Sequence, residues 1–87
     1  MPRFMIERNF AETLEFTKEE AERIRQINDD EGVKWLFSFL SADKRKTYCL
    51  YEAPNPEAIR AAARRANAPA DMVIEVSDLT PEMFFST

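Results

Sequence analysis

Val33-Lys34-Trp35-Leu36-Phe37-Ser38-Phe39-Leu40, followed by Ser41-Ala42-Asp43-Lys44-Arg45 and then Lys46-Thr47-Tyr48-Cys49-Leu50-Tyr51-Glu52, is the stretch that decides the fold. Its two outer runs are aromatic and β-favouring, and they predict strands at 33–40 and 46–52. The polar turn between them is too short for a crossover, so the pair must be antiparallel. In the first run Val33, Trp35, Phe37 and Phe39 share one parity, while Leu36 and Leu40 share the other. In the second, Thr47, Cys49 and Tyr51 alternate with Lys46, Tyr48, Leu50 and Glu52.

Working outward, residues 3–8 (Arg-Phe-Met-Ile-Glu-Arg) read as a first strand, apolar on both parities. Thr17-Lys18-Glu19-Glu20 is a capping-box start for a helix that runs to about residue 30. Asp29-Asp30-Glu31-Gly32 ends it, because carboxylates oppose the C-terminal dipole. Asn55-Pro56-Glu57 opens a second helix with a good cap, proline in the first turn and an acid on the dipole. Ile59, Ala62, Ala63 and Ala66 form its apolar stripe, whose small side chains predict a close approach to the sheet. Residues 72–77 read as a fourth strand, and Thr80-Pro81-Glu82 starts a last helical turn.

The order β-α-β-β-α-β in a single domain spanning residues 1–87 predicts an α+β, ferredoxin-like fold. It is a four-stranded antiparallel sheet with two helices on one face. The first and third strands are expected at its centre and parallel to each other. The other sheet face is then left open. With the odd parity toward the helices, it would show Leu36, Leu40, Tyr48 and Leu50. An apolar face of that kind marks an interface, so a homodimer through the open sheet face is expected, with Phe84 and Phe85 joining it.

Composition narrows the function. The 87 residues carry a net charge of -4, which gives no footprint for nucleic acid. The single Gly argues against a glycine-rich phosphate loop, and no apolar run is long enough to span a membrane. One Cys fits a reducing compartment, and the N-terminal residues lack a signal-peptide core, so a cytoplasmic location is expected. There is no His, which removes the commonest general base and a leading transition-metal ligand. That counts against an enzyme.

Three groups remain as candidates. Cys49 is the one soft ligand or nucleophile, although a mid-strand thiol is more often an inert part of the core. Glu7 and Glu52, at or near the ends of the two predicted central strands, would serve as paired carboxylates if they met; solvated strand ends are the plainer reading. Trp35, Phe37, Phe39, Tyr48 and Tyr51 would either line an apolar pocket or simply fill the core.

Several segments together resemble the DUF4242 family of small nickel-binding proteins. They are Pro2-Arg3-Phe4-Met5-Ile6-Glu7-Arg8, Gly32-Val33-Lys34-Trp35-Leu36, Lys46-Thr47-Tyr48-Cys49-Leu50-Tyr51-Glu52-Ala53-Pro54, and Glu57-Ala58-Ile59-Arg60 with Ala63-Arg64-Arg65-Ala66. The resemblance implies a ferredoxin-like dimer that takes nickel or another divalent metal. It also implies histidines at two positions that are Phe37 and Ala62 in this chain. A hairpin register that pairs residue 37 with residue 49 would bring Phe37, Cys49 and Ala62 together. The site would then be left with one thiol, supplemented by Glu7, Tyr51 or Glu52. On this reading the metal site is weakened or lost. The alternatives are a binding module for a small, partly apolar ligand bounded by Trp35, Phe37, Cys49, Tyr51 and Ala62, or a cofactorless enzyme of the dimeric ferredoxin-like type.

Overall fold

The computed structural model describes residues 1–85. The elements follow as β1 (Arg3–Asn9), α1 (Lys18–Glu31), β2 (Lys34–Leu40), β3 (Lys46–Glu52), α2 (Pro56–Ala66), β4 (Met72–Val76) and a short α3 (Glu82–Phe85). The four strands form one sheet in the order β2-β3-β1-β4, the ferredoxin-like arrangement.

Every neighbouring pair in the sheet is antiparallel, including β1 with β3. The expectation of parallel central strands is therefore corrected. The reason is topological. The β1–α1–β2 unit returns β2 in the direction of β1, and the tight turn then reverses the chain, so β3 must run against β1.

Local chemistry sets the helix ends. Thr17 accepts from the Glu20 amide at 3.1 Å through its Oγ1, and Asn55 accepts from the Ala58 amide at 2.9 Å through its Oδ1. Gly32, at φ 72°, closes α1 in the left-handed conformation that glycine adopts most readily. The carboxylates at that helix end are held by a cation from α2: Arg65 bridges Asp30 at 3.2 Å and Glu31 at 2.9 Å.

β1 alternates cleanly, with Phe4, Ile6 and Arg8 buried on the helix side and Met5 and Glu7 on the other. Ile6 and Ile59 are fully buried and join sheet to α2. Burial of such a side chain is worth roughly 1.5–3 kcal/mol. Val33, just before β2, and Ile27 of α1 complete that core with Tyr51 and Ala53.

The hairpin departs from simple alternation. Trp35 pairs with Tyr51, Leu36 is skipped, and Phe37 pairs with Leu50. A bulge of this kind adds one residue to one strand and reverses the parity beyond it. Ser38, not Phe37, therefore lies opposite Cys49. The expected pairing of residues 37 and 49 is corrected by that single extra residue. Phe37 and Phe39 stand on the open face, their rings edge to face at 5.5 Å. Leu50, expected to be exposed there, is buried, while Tyr48, Met72 and Ile74 are exposed.

Candidate functional site

Between the helix side of the sheet and the two helices lies a cavity of about 470 Å³, within the usual range of small-molecule pockets. It exists because α2 faces the sheet with Ala62, Ala63 and Ala66. These side chains are too short to fill the layer, so the expected close approach gives way to open volume. The connection from β1 to α1 adds Phe10, Leu14 and Phe16 to its walls.

The sheet contributes Trp35, Ser38, Thr47, Cys49 and Tyr51, together with Arg8 from β1. The bulge is what brings the first two to one side. In a regular strand residues three apart point to opposite faces. Across the bulge the Trp35 indole N–H donates to Ser38 Oγ at 2.8 Å. Cys49 is buried and sits 3.5 Å from the Thr47 hydroxyl.

Arg8 is the one charged side chain buried in this layer, at 8% exposure. Its Nη1 donates to the Pro69 carbonyl beyond α2. Its Nη2 donates to Tyr51 Oη at 3.4 Å, and the guanidinium carbon stands 5.8 Å from the centre of the Tyr51 ring. Burial pushes the Tyr51 phenol above its ordinary pKa, and the Arg8 charge opposes that rise without cancelling it. The phenol is therefore a neutral hydroxyl over the physiological range.

Of the residues expected at a site, Trp35, Cys49, Tyr51 and Ala62 meet around this cavity. Phe37 does not, because the bulge turns it to the open face. Glu7 and Glu52 are also on that face, opposite Tyr48 and Arg3 respectively. Glu7 is occupied by Lys46 at 2.8 Å. Neither carboxylate is on the Cys49 side of the sheet, so their expected part in a Cys49 metal site is corrected; of the three named supplements Tyr51 alone shares that side. Strand parity is the reason. Among the described residues, no group of three or more His, Cys, Asp or Glu side chains is placed to hold a metal ion. Nor is any helix among them long and apolar enough to cross a membrane.

Sequence reading missed Arg8, Asn28, Ser38 and Thr47 among the polar groups on the cavity wall. For Arg8 the signal was present: it is in phase with the buried Phe4 and Ile6. For Ser38 it was not, since its face depends on the bulge.

A family model described as nickel responsive protein SCO4226-like matches residues 4–76. The crystal structure of SCO4226 from Streptomyces coelicolor A3(2) superposes with a TM-score of 0.68 at 24% sequence identity, over 90% of this chain and 99% of that one. At that identity the likeness is one of fold. No curated protein matches the chain.

Proposed function

We propose that this chain, which belongs to the SCO4226-like nickel responsive family, is a non-enzymatic binding protein whose sheet–helix cavity takes a small, partly apolar molecule and whose metal site is weakened or lost. We take the DUF4242 resemblance and this family to be the same group. The observation that carries the reading is the wall of the cavity itself. It combines Trp35, Leu40, Ile59 and four alanines with a single thiol and the buried Arg8 guanidinium, while Glu20 and Arg23 lie at its exposed side.

Such a wall suits an apolar guest better than a dication. Nickel and zinc sites are built from about four to six donors, mostly imidazole, thiolate and carboxylate. Here Cys49 is the one soft donor, and Arg8 places a positive charge on the same wall. That charge repels a second cation in a layer where screening is weak. Positions 37 and 62, where the resemblance implies histidines, carry phenylalanine and alanine, and Phe37 also faces away.

In this reading the protein works as a homodimer in the cytoplasm, where Cys49 stays a thiol. Nickel added to purified protein is expected to leave the melting temperature unchanged, because a ligand that binds only the folded state would raise it. Metal analysis is expected to find no stoichiometric nickel. Stoichiometric nickel that disappears in Cys49→Ser would overturn the proposal and restore a metal role.

A further inference from the structure

We infer that the molecule this cavity takes is a carboxylic acid with an apolar body, seated with its carboxylate against the Arg8 guanidinium. The inference rests on the reading of the cavity as a ligand site and adds the chemical class of the ligand.

Arg8 is placed by β1, in register with Thr47 of β3, and the residue as a whole is over nine-tenths buried. Among the described residues it has no carboxylate within ion-pairing distance, although Arg3, Lys46 and Arg60 each have one and Arg65 has two. A buried charge without a counter-ion is costly, and removing the cost requires an anion or a full set of acceptors. The protein supplies two acceptors, the Pro69 carbonyl and the Tyr51 hydroxyl, and the second is at the long end of hydrogen bonding, 3.4 Å. A guanidinium has five N–H donors in a planar fork. Among the described residues no fully buried side-chain nitrogen lacks a partner, so the Arg8 donors left over are accessible ones, and their planar fork matches the two oxygens of a carboxylate.

The surroundings narrow the class further. The acidic side chain on the cavity wall is Glu20, which is exposed in the first turn of α1 and does not meet Arg8. The second cation on the wall, Arg23, is also exposed and donates to the Arg65 carbonyl at 3.1 Å. One buried cation balances one negative charge, which suits a monocarboxylate better than a dianionic phosphate. Tyr51 Oη accepts from the guanidinium and Thr47 is the cross-strand neighbour of Arg8, while Ile59 and the alanines of α2 supply apolar wall to the same cavity.

The test is a ligand-binding titration of the full chain, followed by amide NMR shifts, with butyrate, octanoate, benzoate and hydrocinnamate, each against its own primary amide. At least one acid is expected to shift amides of Arg8, Thr47, Cys49 and Ala62, and its amide to bind at least about tenfold more weakly. In Arg8→Met that preference is expected to vanish while the amide still binds. Should Arg8→Met not fold, the wild-type comparison decides by itself. If acids and amides bind equally well, the carboxylate inference is overturned and the apolar-ligand reading stands. If no member of either series binds, both are overturned.

Discussion

Tyr51 shows how one residue's setting reaches the stability of the whole chain. Burial raises its phenol pKa, and the neighbouring Arg8 charge only partly offsets the rise. An unfolded tyrosine gives up its proton near pH 10 (about 10). The folded one holds it to higher pH, so above that point the native state binds more protons than the unfolded state. Stability from this group is present below about pH 10 and falls as pH rises toward the folded value. Tyr51→Phe is therefore expected to flatten the alkaline loss of stability in urea denaturation at a series of pH values. It should also lower stability at neutral pH by about 1 kcal/mol, because Arg8 loses an acceptor. An unchanged alkaline slope would show that Tyr51 titrates alike in both states. The burial of Tyr51 was legible from alternation in β3; its pairing with Arg8 was not, since that contact joins residues 43 positions apart.

At the scale of elements, α2 forms one wall of the cavity and is anchored by its ends. Asn55 caps the first turn, and Asn67, left-handed at φ 54°, closes the last with its amide bonded to the Ala63 and Arg64 carbonyls. Asn55→Ala is expected to cost about 1 kcal/mol. The check is a fall in the denaturation midpoint with an unchanged dependence on denaturant. The Asn55 cap was readable because capping is decided within four residues. The β2 bulge was not readable in this way. Trp35-Leu36-Phe37 is apolar throughout, so no change of pattern marks the extra residue, which shows only in the pairing of Trp35 with Tyr51 and Phe37 with Leu50. That one residue moves Phe37 out of the candidate site and Ser38 into it.

For the molecule as a whole, the open sheet face dominates. Phe37, Phe39, Tyr48, Met72 and Ile74 are exposed there, and Leu79, Met83, Phe84 and Phe85 are exposed beyond β4, where α3 buries nothing. A folded monomer of 10.1 kDa would be expected to show about 5,300 Å² of accessible surface. This chain shows 6236 Å². The excess, on the order of 900 Å², is close to the roughly 800 Å² each partner loses in a standard interface. This supports the proposed homodimer. Sedimentation at micromolar concentration is expected to give a dimer, and Ile74→Lys, which puts a charge at the centre of the β1–β4 edge of that face, a monomer. A wild-type chain that stays monomeric at high micromolar concentration would remove the homodimer from the functional proposal.

What depends on neighbours along the chain was legible in the residues alone: the order of strands and helices, the Asn55 and Thr17 caps, the antiparallel hairpin and the absence of imidazole. These rest on periodicity, turn length and short-range hydrogen bonding, all of which act over a few residues. The direction of β3 against β1 followed from the same facts once the crossover and the hairpin were combined. Only the tertiary structure decided which face each side chain serves. Registry is set by packing across strands, so a single bulge separated Phe37 from Cys49, and strand parity placed Glu7 and Glu52 behind the sheet. The cavity is also a tertiary fact. It is the volume that Ala62, Ala63 and Ala66 leave unfilled over a sheet that presents one buried arginine with no carboxylate partner among the described residues.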